Sequence, residues 1–175
     1  MSERIALLRA VNVGGATLPM ARLREIAEML GAQDVSTYIA SGNLLYTPPG
    51  ASAEFDEALE RAIEAEFGFY REVISRTPDE LDAALRAHPF DVVEPKFSYV
   101  YALTGTPTAA AAAALADRVA ATEHVAVIGN DLHIRYDEGA GKSALTPAVI
   151  KRALGFTGTG RNLNTVAKLV ALARA

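Results

Sequence analysis

Three groups of polar residues fall where the sequence also supplies glycine, and turns of that kind leave side chains and backbone amides free to serve a ligand. The first is Arg9 with Asn12, Gly14 and Gly15. The second is Ser41-Gly42-Asn43. The third joins Gly139-Ala140-Gly141-Lys142-Ser143 to Gly158-Thr159-Gly160-Arg161-Asn162-Leu163-Asn164-Thr165. Cations, carboxamides and hydroxyls set among glycine amides are groups that hold negative charge. The expected ligand is therefore an anionic small molecule, a nucleotide or phosphate ester, in a cleft formed by loops 9–15, 41–43, 139–143 and 158–165. The candidate binding residues are Arg9, Asn12, Gly14, Ser41, Asn43, Lys142, Ser143, Arg161, Asn162 and Asn164.

Sharper chemistries fit less well. Gly141-Lys142-Ser143 ends like a phosphate-binding loop, but that loop needs a glycine five positions before the Gly-Lys pair, and position 136 is Tyr. Asn162 or Asn164 suits the cap of a last helix with Arg161 flanking it in solvent; the same helix end, with its unpaired amides, also suits an anion. An alternative is a hydrolase or transferase using Ser41, or a water, as nucleophile with Lys142 or Arg161 stabilising charge. No histidine falls in the three clusters to serve as its base, and His88, His124 and His133 lack metal-ligand spacing, so no metal and no cofactor is expected. Phe97, Tyr99 and Tyr101 alternate as in an RNA-binding sheet, yet one such face must be core.

The charge distribution gives the third cluster its interest. Net charge is -4, with -6 in residues 1–88 and +2 in residues 89–175; beyond Glu138 there is no acid, while Lys142, Lys151, Arg152, Arg161, Lys168 and Arg174 are all positive. A pI near 5.4 argues against broad binding to a nucleic-acid backbone. No cysteine is present, so disulfides, thiolate metal sites and thiol chemistry are excluded. The start Met1-Ser2-Glu3-Arg4 lacks the pattern of a secretion signal, and every apolar run is too short to span a bilayer, so a cytoplasmic location is expected.

The elements that must position these clusters follow from periodicity. A strand at residues 4–10 leads into a helix at 20–30 with Leu23, Ile26, Ala27 and Leu30 on one face. A hairpin (35–40 and 43–47), a helix capped by Ser52 and running to Phe67, and a strand at 69–75 complete a β-α-β-β-α-β order. Thr77-Pro78-Asp79-Glu80 reads as a capping box that starts a third helix. The second half repeats the order with a strand at 97–103, an alanine-rich helix from 106 to 121, a hairpin (125–128 and 132–136) and a helix from 147 to 154. It then lacks an evident closing strand and ends in a helix from 162 to 173. The fold class expected is α+β, two ferredoxin-like plait units, β-α-β-β-α-β followed by β-α-β-β-α plus a C-terminal helix. The boundaries expected are 1–76, a connection at 77–96, and 97–175. Exposed sheet edges suggest a third reading, an oligomeric or protein-interaction scaffold.

Several blocks together resemble a family. Ala6-Leu7-Leu8-Arg9-Ala10-Val11-Asn12-Val13-Gly14-Gly15, Thr37-Tyr38-Ile39-Ala40-Ser41-Gly42-Asn43 and Thr159-Gly160-Arg161-Asn162-Leu163-Asn164-Thr165-Val166-Ala167-Lys168-Leu169 are similar to the signature blocks of the domain of unknown function 1697 family. The resemblance implies two plait-like α/β halves and carries no catalytic assignment. Ala10 and Leu163 stand where it leads one to expect glycine and tryptophan, which removes a surface at 163 on which a ligand could stack.

Overall fold

The computed structural model describes residues 2–175; Met1 lies outside them. The chain forms an α+β fold with two four-stranded sheets and divides into two compact units, one reaching to Leu81 and joined by Lys168–Ala175, the other Asp82–Ala167.

In the first unit, β1 (Arg4–Leu8), α1 (Met20–Met29), β2 (Gln33–Thr37), β3 (Asn43–Thr47), α2 (Ser52–Phe67) and β4 (Val73–Arg76) make a sheet ordered β2-β3-β1-β4. Every pairing is antiparallel, with Ala6 opposite Leu44 on one side and Ser75 on the other. The helical stripes do what their spacing requires. Leu23, Ile26 and Ala27 of α1 and Phe55, Leu59 and Ile63 of α2 bury against Ala6, Leu8, Leu44, Tyr46 and Val73. Gly68 ends α2 in the left-handed conformation expected of it. The cap at the other end is Ala51 rather than Ser52, which is the first helical residue. β4 starts at Val73, not residue 69, because Glu60 of α2 reaches over to accept the Val73 amide (2.8 Å) and the Tyr70 hydroxyl (2.8 Å), holding the segment before it as a loop.

α3 (Pro78–Ala87) opens with the capping box the sequence predicts: the Glu80 amide donates to Thr77 Oγ1 (3.1 Å) and the Thr77 amide to Glu80 Oε2 (2.8 Å).

The second unit contains β5 (Ser98–Leu103), α4 (Ala109–Arg118), β6 (Glu123–Ile128), β7 (Asp131–Tyr136), α5 (Pro147–Leu154) and β8 (Gly158–Asn162), in the order β6-β7-β5-β8. Two expectations are corrected here. The alanine-rich helix starts after Thr108, whose hydroxyl accepts the Ala111 amide (3.1 Å), not at Thr106. More importantly, the second half does close with a strand. Gly158-Thr159-Gly160-Arg161-Asn162, expected as a loop, pairs antiparallel with β5 from Leu103 to Tyr99. The reason is close approach. A Cβ on Gly158 would stand 2.5 Å from the Ala102 carbonyl and 2.6 Å from the Tyr101 ring, and one on Gly160 2.9 Å from the same ring. The glycines make room for an aromatic side chain laid across the strand. α6 (Leu163–Arg174) follows directly.

Candidate functional site

The first two polar clusters meet at one end of the first sheet. There β1 ends, β3 begins and β4 begins, so the loops 9–19, 38–42 and 68–72 are brought together. Backbone bonds seat them: the Leu8 amide donates to the Gly42 carbonyl (2.9 Å) and the Arg9 amide to the Glu72 carbonyl (3.0 Å).

Asn12 is the clamp of this assembly. Its Nδ2 donates to the carbonyls of Leu18 (2.9 Å) and Ala40 (2.6 Å), and its Oδ1 accepts the Leu18 amide (2.8 Å). Both donors of the carboxamide are thus spent on backbone, so Asn12 positions two loops and has no donor left over for an anion. Asn43, fully buried, does similar work in the hairpin, donating to the Tyr38 carbonyl (2.9 Å) and Ser41 Oγ (3.0 Å). Arg9 Nε meets Glu72 Oε2 at 2.6 Å, a half-exposed ion pair joining the first loop to the third.

What faces outward is different. Val13, Gly14, Gly15 and Ser41 are exposed. Among the described residues, no acceptor takes the amides of Val13, Gly14 or Gly15. Sequence reasoning missed Arg71 altogether, because it placed residues 69–75 in a strand. Arg71 Nε donates to the Ala10 carbonyl (3.1 Å), its Nη1 to the Tyr70 carbonyl (2.7 Å), and its guanidinium lies 5.2 Å from the Phe69 ring centre. Among the described residues it has no carboxylate partner. The polar Tyr70-Arg71-Glu72 run, one residue beyond Gly68, was the available signal.

This end also carries unusual backbone. Of the non-glycine residues with positive φ, Ala10 (50°), Asn12 (56°) and Ile39 (50°) lie in these two loops. Such conformations persist only where the surroundings impose them, and they gather at functional sites.

The third cluster comes apart. Ser143 Oγ donates to Glu123 Oε1 at the start of β6 and accepts the Leu145 amide (2.9 Å). Arg161 lies on β8, at the opposite edge of the same sheet, so three strand spacings, about 14 Å, separate the two halves of the cluster. Lys142 is exposed in a short 3-10 turn, and the following helix waits until Pro147, which disposes of the phosphate-loop reading. Arg161 is not a solvent-facing donor. It is 7% exposed, donates through Nη1 to Thr159 Oγ1 (2.7 Å) and the Gly160 carbonyl (3.0 Å), and burial pulls its pKa down to about 10. Asn162 caps α6, its Oδ1 accepting the Thr165 amide (2.9 Å), while Asn164 is exposed. Leu163 is buried, so position 163 offers no surface for stacking. Tyr101 is core, and Tyr99 packs edge-on to Tyr136 at 5.5 Å, which removes the aromatic platform.

The family described as Protein of unknown function (DUF1697) matches residues 1–133, a stretch that includes all three first-unit loops. The chain belongs to that family. Among solved structures, the conserved bacterial protein SP0830 from Streptococcus pneumoniae is similar, with a TM-score of 0.73 and 23% identity over 100% of both chains. At that identity the likeness of this family member to SP0830 is one of fold, two units with an α+β arrangement. A search of curated proteins gave no match. Among the described residues no helix is long and apolar enough to cross a membrane, and no three metal-ligating side chains gather.

Proposed function

We propose that the three-loop end of the first unit binds an anionic small molecule of the nucleotide or phosphate-ester class. The observation that carries this is the coincidence of three successive unclaimed amides, Val13 to Gly15, with Arg71, a cation that among the described residues has no carboxylate partner, on loops joined by Asn12 and by the Arg9–Glu72 pair. Arg71 and the Gly14 and Gly15 amides contact the ligand in this reading, with the Ser41 hydroxyl beside them. Asn12, Asn43 and the Arg9–Glu72 pair hold the loops. Lys142, Ser143, Arg161, Asn162 and Asn164 drop out, since Ser143 and Asn162 complete local turns and Arg161 is buried.

Hydrolase or transferase chemistry at Ser41 gains no support from the first unit itself, which contains no histidine to serve as its base. The strand orders β2-β3-β1-β4 and β6-β7-β5-β8, all antiparallel, support reading both units as ferredoxin-like plaits. The lack of cysteine supports a reducing, cytoplasmic location.

The test is thermal-shift and calorimetric titration of the full chain with inorganic phosphate, nucleoside phosphates and sugar phosphates, repeated with Arg71→Gln. We expect at least one of these anions to raise the melting midpoint and Arg71→Gln to weaken it about tenfold, as for loss of a charge-assisted bond. The reading fails if none of them binds, or if Arg71→Gln binds as the parent does. Arg161→Ala is a poor probe, because removing a buried guanidinium disturbs the strand that holds it.

A further inference from the structure

The two sheets have four edges, and they are not equally protected. β4 is buried along its length, and β8 nearly so. β2 is disarmed: its pairing with β3 shifts register between Gln33 and Ser36, Asp34 has a φ of 51°, and Gln33, Asp34 and Ser36 are exposed. A bulge and polar side chains are the ordinary means of stopping an edge from recruiting another strand. β6 occupies the same place in the second sheet, has no bulge, and carries polar side chains only at its first two positions, Glu123 and His124. Glu123-His124-Val125-Ala126-Val127-Ile128 pairs with β7 residue for residue, without a shift, and among the described residues no strand lies beyond it. It carries no proline and no lysine, and Ile128 at its end is 42% exposed.

We infer that β6 pairs with β6 of a second copy of this chain, antiparallel about a two-fold axis at Ala126. The hairpin turn at Gly129-Asn130 makes Ile128 and Asp131 a hydrogen-bonded pair, so Ala126 and His124 also bond inward to β7. Val125 and Val127 therefore turn their N–H and C=O groups outward. Placing Val125 opposite Val127 of the other copy satisfies all of these groups, with the smallest side chain, Ala126, facing itself at the axis. Glu123 then falls opposite Gly129, its acid about 20 Å from that of the second copy, so no like charges meet. His124 falls opposite Ile128 and covers it. An isologous interface needs such self-complementarity, and this hexapeptide has it in a register that leaves no outward polar group of Val125 or Val127 unpaired.

Because the chain has no cysteine, Ala126→Cys creates a single reporter thiol. In the inferred register the two Ala126 residues form a non-hydrogen-bonded pair with Cα atoms about 4.5 Å apart, inside the range that a disulfide bridges. Ala126→Cys should give a covalent dimer under mild oxidation, whereas Ser36→Cys on the bulged edge should give little. Sedimentation of the parent chain from micromolar to near-millimolar concentration should show reversible dimerisation, abolished by Val127→Lys, with circular dichroism confirming that this variant is folded. A parent that stays monomeric throughout overturns the inference. So does cross-linking of Ala126→Cys no faster than Ser36→Cys.

Discussion

The two units run their backbones through the same pattern with different contents. The Leu8 amide bonds the Gly42 carbonyl and the Arg9 amide the Glu72 carbonyl; in the second unit Leu103 bonds Asn130 (2.9 Å) and Thr104 bonds Thr157 (2.8 Å). Residues 8, 42 and 72 thus correspond to 103, 130 and 157. By the same register Ala6 and Ser75 correspond to Tyr101 and Gly160. Where the first unit places a small residue on its central strand and side chains on the next, the second places a tyrosine on its central strand and glycine beside it. Volume is kept by moving it from one strand to its neighbour. The loops differ too. Residues 9–19 of the first unit form a long, strained and polar connection, while residues 104–108 make the corresponding link with nothing to spare. One scaffold, built twice, carries the long polar connection once.

The comparison breaks most severely at the glycines. Gly158→Val drives a side chain into the Ala102 carbonyl and the Tyr101 ring, and should cost about 3 kcal/mol or more in urea denaturation, or prevent folding. Gly160→Val tests the volume exchange directly. Combined with Tyr101→Ala, which restores the small central residue of the first unit, it should be less damaging than the sum of the two single changes, with a coupling of about 1–3 kcal/mol. Additivity would show that the ring and the strand do not compete for space.

This exchange also explains what could be read from the sequence. Helices α1, α2 and α5, both hairpins and the Thr77–Glu80 capping box are local events, written in spacing that belongs to the residues themselves. β8 is not local. Gly158-Thr159-Gly160 has one β-forming side chain, Thr159, between two glycines, and it becomes a strand by pairing with β5, where Tyr101, far off in the chain, lies against both glycines. The site was half legible for the same reason. Arg9, Asn12, Ser41 and Asn43 announce a turn, and they do converge. That Asn12 is consumed by Leu18 and Ala40, or that Arg161 is buried, depends on partners no spacing reveals. Arg71 was hidden because Glu60, one helix earlier, decides where β4 starts.

Histidine separates the units by pH. The second holds a contact between His88 Nδ1 and His133 Nδ1 (3.1 Å); the first holds no histidine. Burial, with His88 adding repulsion, pushes His133 down to about 4, and burial with Arg135 nearby lowers His88. Between the unfolded value near 6.5 and about 4, the unfolded chain binds more protons than the folded one, so stability falls as pH falls through that window. The loss reaches up to about 3 kcal/mol when His133 is finally protonated. His133→Gln, which keeps a polar partner for His88 without titrating, should flatten the acid slope of the melting midpoint between pH 7 and 4.5. An unchanged slope would assign it to carboxylates.

The first unit's interior polar group lies elsewhere. Ser75 Oγ donates to Asp56 Oδ2 (2.5 Å) and accepts from Arg4 Nη2 (2.6 Å), while Tyr46 donates to Asp56 Oδ1 (3.1 Å). Burial raises the Asp56 pKa, opposed by the bonds from Ser75 and Tyr46 and by the charge of Arg4. Ser75→Ala removes a bond to each charged neighbour and should cost about 1–3 kcal/mol, measured in the same denaturant. It should also raise the Asp56 pKa further, which carbon NMR of the carboxyl would report. A loss below about 0.5 kcal/mol would mean that solvent already serves this carboxylate.

The smallest effect has the opposite sign. Ala10 holds a φ of 50°, a conformation that costs an alanine roughly 1–2 kcal/mol and a glycine almost nothing. Ala10→Gly also frees the unfolded chain, which returns part of that gain. The net should be a stabilisation of about 0.5 kcal/mol. Anion affinity should not change, because Arg71 is held by the carbonyl of residue 10, which glycine supplies equally. Stability and binding would then move independently at one residue, as they must if strain in this loop comes from shaping the backbone and the ligand is held by Arg71 and the amides beyond it. If Ala10→Gly instead weakens binding along with any change in stability, the methyl group itself stiffens the loop, and the strain belongs to recognition rather than to the fold.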